Sequence, residues 1–158
     1  MEALQPLPRT KRLVIAGGSS YSDSYIQAVK EKAWDEVVFL GKVDHETIEE
    51  LLSNCYAFVL PSTIEGLSIA LLEALSFGAC ILTTSIPENL EVVGEAAVVF
   101  PADDVLALRD RLEAILTCPR LAESHRELAA ERARGWPDWD GVAALTEAFY
   151  LKLIEKTA

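Results

Sequence analysis

Two glutamates eight positions apart, Glu65 and Glu73, are the residues of this chain best placed to do chemistry. Between Glu46 and Leu108 the sequence contains no lysine, arginine or histidine, so no cation stands three or four positions away to pair with either carboxylate. A carboxylate in an apolar segment is costly to bury unless something donates hydrogen bonds to it. We therefore expect a ligand rich in hydroxyl groups to supply the missing partners.

The elements around the pair predict how such a ligand would be held. A strand-like run ends just before Pro61, a short loop carries Glu65, and an apolar helix is predicted over 67–77. Because this helix is apolar on all sides, we expect it to be buried. The free N–H groups of residues 66–69 would form a helix N-terminus, a natural seat for a diphosphate. Glu73, about two turns into the helix, would then face the ribose end of a nucleotide sugar.

Each of these features also has an ordinary structural explanation. Glu65 and Glu73 could be solvated side chains, and Gly66 alone is weak evidence because many loops need the backbone freedom of glycine. Gly17-Gly18 follows a predicted strand but lacks both G-x-G-x-x-G and the P-loop lysine, so we interpret it as a tight turn that lines the cleft.

Several segments together resemble a known family. The stretch from Pro61 to Gly78 looks like the E-x7-E signature of retaining GT-B glycosyltransferases of the glycogen-synthase-like superfamily. The similarity covers roughly residues 12–155. The other matching segments are Leu13 to Gly18, Val38 to Val43, Ser85 to Ala97, and a C-terminal helix with Trp139 and Tyr150.

The resemblance implies a role for each residue of the site. Glu65 would be the catalytic residue that hydrogen-bonds the transferred sugar, and Glu73 would hold the ribose. Many relatives have glycine where this chain has Ser68. No metal or cofactor is expected beside the UDP- or GDP-sugar substrate. The nucleotide-sugar-binding residues implied in the E-x7-E segment are Glu65, Gly66, Leu67, Ser68, Ile69 and Glu73. Earlier segments would add Gly17, Lys42 and Val43, and the loop from Lys42 to Asp44 would pack against the base.

The chain as a whole predicts an α/β fold, a Rossmann-like three-layer parallel sheet of about five strands with helices on both faces. Residues 1–11 are interpreted as an N-terminal extension and residues 12–158 as a nucleotide-sugar donor-binding domain that includes the C-terminal helices. Asp103-Asp104 and Asp138 are predicted to begin helices, and capping explains them without a metal. The predicted strands are 13–16, 37–40, 56–60, 80–83 and 97–100, and the predicted helices are 22–33, 45–53, 67–77, 87–92, 103–117, 120–133 and 140–155.

The resemblance also implies parts that this chain does not contain. In the family, the donor domain opens with a strand and helix that carry an arginine and a lysine for the diphosphate, whereas this chain enters at Arg12, in the second strand. An N-terminal acceptor domain would be absent as well, so the chain alone is expected to be inactive. We expect the strands at 13–16 and 56–60 to pair directly, in the order 2-1-3-4-5. A swapped dimer, or residues 1–9 inserted as a surrogate strand, are the alternatives.

The composition and charge of the chain limit the kinds of binding partner and the cellular compartment that we expect for it. A formal net charge of −11 argues against nucleic acid or an anionic membrane as a partner. No apolar run reaches the length of a transmembrane helix and no signal sequence opens the chain, so we expect a cytoplasmic protein. Any contact with the inner face of the membrane would be made through the missing domain. Cys55 and Cys80 are interpreted as buried thiols.

The apolar face of the last helix predicts self-association. This face consists of Val142, Leu145, Phe149 and Leu153.

The function implied by the resemblance is transfer of a hexose from a UDP- or GDP-sugar to an acceptor that the sequence does not reveal, with retention at the anomeric carbon. Two alternatives stay open at this point. One is a non-catalytic module that binds a nucleotide sugar or a protein. The other is a GT-B enzyme of a different kind, such as a sugar-nucleotide epimerase, although transferases explain the E-x7-E helix better.

Overall fold

Strands and helices alternate along the chain in the computed structural model, which describes residues 1–4, 7, 11–18 and 23–157. The predicted α/β class is confirmed, and each element ends within two residues of its predicted bounds. The elements are β1 (Leu13–Ala16), α1 (Asp23–Glu31), β2 (Val37–Gly41), α2 (His45–Asn54), β3 (Phe58–Leu60), α3 (Ile69–Ser76), β4 (Ile81–Thr84), α4 (Pro87–Val93), β5 (Val98–Phe100), α5 (Val105–Thr117), α6 (Pro119–Ala133) and α7 (Trp139–Thr157).

The strands form two parallel sheets instead of one. β1 pairs with β2, whereas β3, β4 and β5 form a separate three-stranded sheet in that order. Leu13 is opposite Val37 in the first sheet, and Phe58 is opposite Ile81 in the second. The prediction that the strands at 13–16 and 56–60 pair directly is therefore wrong for the residues described, and the order 2-1-3-4-5 is not formed.

The segment before β1 gives a physical reason for the separation. Ala3 and Leu7 are buried in the core beside β3, while the Glu2 carboxylate accepts a hydrogen bond from Lys32 Nζ at 2.9 Å, just beyond α1. Side chains of this segment therefore contact both halves of the molecule and join them without a shared strand ladder. Residues 2–4 form a turn instead of the alternative surrogate strand, and residues 5, 6 and 8–10 lie outside the described part.

Buried side chains lie on both faces of the β3–β5 sheet. Successive residues of a strand point to opposite faces, and Phe58 packs with α3 and α4 whereas Val59 packs with α5. β4 is buried along its whole length because it is the central strand with helices on both sides. The predicted three-layer arrangement is thus confirmed for this sheet.

The last helix, α7, lies outside this core. Trp136, just before it, packs on the core and donates from Nε1 to the carbonyl of Val92 at 3.2 Å. Trp139 at its start is 81% exposed and does not pack on the core. Among the residues described, no helix combines the length and the apolar character needed to cross a bilayer. Exposed apolar residues of α7 include Val142, Leu145, Phe149, Tyr150, Leu153 and Ile154.

Candidate functional site

The loop of residues 61–68 leaves the carboxyl end of β3 and carries the first glutamate of the pair. Glu65 is half-buried, and its carboxylate accepts no hydrogen bond from any residue that the structure describes. A Cβ added at Gly66 would meet no atom within 4 Å, so packing within the protein does not require glycine there. The loop therefore has open space beside Gly66 and a carboxylate without a protein partner.

The start of α3 provides a row of unpaired amide donors. Ser68 has an extended backbone, with φ −77° and ψ 100°, so the helix begins at Ile69 instead of at the predicted residue 67. The carbonyl of Ser68 accepts hydrogen bonds from the amides of Leu71 and Leu72, both at 3.2 Å. The amides of residues 66–70 donate to no described residue, as expected for the first turn of a helix.

Glu73 lies on the same helix, a little over one turn from its start, because the helix begins later than predicted. The helix is not buried all round. Leu71, Ala74 and Leu75 face α4, α6 and β4, whereas Ile69 is 51% exposed and Glu73 is half-buried. Packing on a single side therefore leaves the carboxylate at the open side of the helix.

The Glu73 carboxylate also has no ionic or hydrogen-bonding partner in the described part of the chain. Two arginines of α6 donate to backbone carbonyls instead. Arg126 Nη2 donates to the carbonyls of Cys55 and Tyr56, both at 2.8 Å, and Arg132 donates to those of Glu91 and Val92.

The carboxyl ends of β1 and β2 form a second group of candidate residues. The amide of Gly17 donates to the carbonyl of Gly41 at 2.7 Å, and both glycines have positive φ, at 123° and 67°. Gly18 lies against the side chain of Lys42, since a Cβ there would be 3.4 Å from Lys42 Cγ. The structure therefore brings Gly17 and Gly18 beside Gly41 and Lys42 at the ends of β1 and β2, while Ser19 and Ser20 lie outside the described residues.

The rest of the second loop serves the fold. Lys42 is exposed and Val43 half-buried. Asp44 caps α2 by accepting a hydrogen bond from the amide of Thr47 at 2.9 Å, and hydrogen bonding from Thr47 lowers the pKa of Asp44. No hydrogen bond or ion pair between described residues joins this loop to Glu65 or Glu73. Each group lies beyond the carboxyl ends of its own sheet, where ligands of parallel α/β sheets bind.

One buried polar group of the site escaped prediction. Asn89, on α4, is completely buried, and its Nδ2 donates to the hydroxyls of Thr83 and Thr84 at 2.9 Å each. Both threonines end β4, and their hydroxyls donate to carbonyls of β3 and of the loop after it. The polar pair at the end of an apolar strand was the available signal, but its partner five positions later could not be recognised without the fold.

The described residues contain no cluster of three or more histidine, cysteine, aspartate or glutamate side chains that could hold a metal ion.

Comparison with known proteins identifies the family. Residues 2–136 match the family described as glycosyl transferases group 1, which is most of the chain. The chain belongs to this family. A glycogen synthase of Mycobacterium tuberculosis is 32% identical over 159 residues, which cover 95% of this group 1 chain but only 38% of the glycogen synthase. The group 1 chain therefore spans well under half the length of that relative.

Solved structures agree on the fold of this group 1 chain. The Anabaena protein HepE in complex with UDP matches 98% of the chain with a TM-score of 0.82 at 16% identity, over 43% of its own length. The sucrose-phosphate synthase of Thermosynechococcus elongatus matches 92% of the chain with a TM-score of 0.80 at 23% identity, over 39% of its own length. Together with the family match, these structures confirm the predicted resemblance to the C-terminal domain of a GT-B glycosyltransferase.

Proposed function

We propose that this chain is the donor-binding part of a retaining glycosyltransferase that takes its hexose from a UDP- or GDP-sugar. The observation that supports this most is the pair of half-buried, unpartnered carboxylates at Glu65 and Glu73, with the free amides of residues 66–70 between them, in a chain of this family. A nucleotide sugar has hydroxyl groups at both ends and negative charge in the middle, which is the order of acceptors and donors along this segment.

The diphosphate would lie at the start of α3. Free amides and the positive end of the helix dipole favour an anion there. The same amides would stabilise the charge that develops on the departing diphosphate as the glycosidic bond breaks, without any movement of the protein. Gly66 would let the ligand approach the backbone, because no side chain fills the open space beside it.

The two carboxylates would orient the ends of the donor. Glu73 would accept hydrogen bonds from the two ribose hydroxyls, and Glu65 would accept one from a hydroxyl of the transferred sugar. Lys42 and Val43, beyond β2, would contact the base. HepE, whose fold this chain shares, has been solved with UDP and with UDP-glucose, so uridine nucleotides are the first ligands to test.

The acceptor and the rest of the catalytic apparatus would come from the part of the relatives that this chain does not match. The segment from 46 to 108 contains no basic residue, and the chain carries a net charge of −11, so binding of a diphosphate to the chain alone should be weak. We expect no sugar transfer by the 158-residue chain on its own, because it matches only 38% of the length of the glycogen synthase and the unmatched part would position the attacking hydroxyl.

Calorimetric titration with UDP and UDP-glucose tests the assignment. Glu73→Ala should weaken the binding of both ligands by about 1–3 kcal/mol, the scale of hydrogen bonds to a charged group. Glu65→Ala should weaken UDP-glucose by a similar amount and leave UDP nearly unchanged. Glu127→Ala, an exposed glutamate on α6, is the matched control and should bind both ligands like the wild type. Equal losses for both ligands in the Glu65 and Glu73 variants would contradict the proposal.

A further inference from the structure

A buried hydrogen-bonded network lies at the start of the β3–α3 loop. Asn89, Thr83 and Thr84 are each 0% exposed. Asn89 Nδ2 donates to both threonine hydroxyls at 2.9 Å. Thr83 Oγ1 donates to the carbonyl of Leu60 at 3.0 Å, and Thr84 Oγ1 donates to the carbonyl of Ser62. Three side chains from β4 and α4 thus hold the carbonyls on either side of Pro61, at the exit of β3.

The direction of these hydrogen bonds is determined by the number of protons available. A threonine hydroxyl has one proton to donate, and Thr83 and Thr84 each donate it to a backbone carbonyl. Each hydroxyl must therefore accept its second bond, and the amide of Asn89 is the group that supplies both protons. An aspartate or an apolar residue at 89 could not do so.

The two branches of the network hold different kinds of backbone. Leu60 is the last residue of β3 and is already aligned opposite Thr83 in the strand ladder. Ser62 lies in the loop, three residues before Glu65. Among the residues that the structure describes, the bond from Thr84 to Ser62 is the only hydrogen bond made by residues 61–67.

We propose that Asn89 and Thr84 are positioning residues, which fix the Ser62 carbonyl so that the loop presents Glu65 to the donor sugar. This inference rests on the proposed function of Glu65. Asn89 Oδ1 is buried and accepts no hydrogen bond from a described residue, which is a cost to stability. A polar residue that carries such a cost at the base of a binding loop is better explained by the bonds its amide donates than by a contribution to the core.

A pair of matched variants separates positioning from support of the sheet. Thr83→Val and Thr84→Val make the same change at two fully buried sites of one network, but only Thr84→Val releases the loop. The backbone 15N order parameters of residues 63–67 should fall from about 0.85 to below about 0.6 in Thr84→Val and stay near the wild-type value in Thr83→Val. UDP-glucose affinity should fall about tenfold in Thr84→Val while UDP affinity falls less than about threefold, the scale of one lost hydrogen bond.

Thr84→Ser keeps the hydroxyl and loses only a methyl group, so it should retain the rigid loop and the wild-type affinity. The proposal is overturned if Thr84→Ser loosens the loop as Thr84→Val does, or if Thr83→Val and Thr84→Val change the loop equally. The backbone order parameters are measured on the protein without ligand. If the wild-type chain binds neither UDP nor UDP-glucose, the proposed function fails, and the order parameters still decide whether the network holds the loop.

Discussion

The two sheets of this protein are packed to very different degrees. In the β1–β2 region (residues 11–43), no described residue is buried, and even the strands are half-buried or exposed. In the β3–β5 region (residues 55–136), β4 is buried throughout, and α3, α4, α5 and α6 all contribute buried side chains. Regions with few buried contacts open at lower free energy than the core, so the two sheets should differ in stability.

This difference divides the candidate site into a rigid part and an adaptable part. Glu65, Glu73 and the free amides belong to the well-packed region, whereas Gly17 and Lys42 belong to the loosely packed one. The helix that carries Glu73 is therefore positioned before a ligand arrives, whereas the Glu65 loop is held, among the described residues, by the single hydrogen bond to Ser62. Groups on the base side would be ordered as a ligand binds, which reduces affinity by the free energy that this ordering costs.

The largest expected contrast comes from one leucine in each sheet. Leu82 of β4 is completely buried, and Leu40 of β2 is 40% exposed. Leu82→Ala should lower the free energy of unfolding by about 2–5 kcal/mol, because it removes buried methyl groups and leaves a cavity. Leu40→Ala should cost about 1 kcal/mol, in proportion to the smaller area that it buries. Urea denaturation of both variants measures the difference, and similar losses would show that the two regions are equally well packed.

One basic residue in each region, Arg126 and Lys32, provides a second comparison of stability. Arg126 donates to two carbonyls at the entrance to β3, whereas Lys32 pairs with Glu2 at an exposed surface. Arg126→Met should lower the free energy of unfolding by about 1.5–3 kcal/mol, since two half-buried carbonyls lose a charged donor. Lys32→Met should cause no measurable loss, because exposed ion pairs contribute little. Denaturation in low and in high salt is the check, and an equal cost for both variants would contradict the comparison.

The last prediction concerns the pH dependence of stability, which the burial of Cys80 in the β3–β5 region should change only at alkaline pH. Burial raises the pKa of the Cys80 thiol from 9.0 to about 11. Between these two pH values the unfolded chain has lost the thiol proton while the folded chain keeps it. Stability should therefore fall as pH rises through this window, by at most about 1.4 kcal/mol per pH unit, and the thiol should not affect it at lower pH.

Stability curves of the wild type and of Cys80→Ala, measured from pH 8 to 11, isolate this contribution, since the wild type should fall more steeply above about pH 9. Cys118 is exposed and provides the internal reference for reaction with a thiol reagent at neutral pH. Reaction of Cys80 as fast as Cys118 in the folded protein would show that the core is open to solvent.

Local signals in the sequence predicted most of the elements. Asp104 accepts a hydrogen bond from the amide of Ala107 at 2.9 Å, and Asp138 accepts one from the amide of Gly141 at 2.8 Å, so both aspartates begin helices as predicted. Gly78 has a φ of 60°, the conformation that ends α3 at the expected place. These features depend on a few neighbouring residues, and a sequence displays them directly.

The features that escaped prediction depend on residues far apart in the chain. The pairing of β1 with β3 was predicted wrongly, and the contacts of the first residues, Glu2 with Lys32 and Ala3 and Leu7 with the β3–β5 core, are ones that no local pattern reveals. The role of Asn89 depends on the carbonyls of Leu60 and Ser62, more than twenty-five positions earlier. The exposure of Glu73 depends on which side of α3 meets α6. The sequence identified the candidate glutamates, but it could not show what positions them.

The two bonds of Arg126 also bear on when the site can form during synthesis. The bond to Cys55 spans 71 positions of the chain and the bond to Tyr56 spans 70, from α6 back to the entrance of β3. On a ribosome, β3, the Glu65 loop and α3 therefore emerge well before the arginine that fixes the start of the strand. Closing so long a loop is a late event, because the chain entropy is lost before the contact forms. The candidate site is consequently expected to reach its final geometry only after α6 has left the exit tunnel.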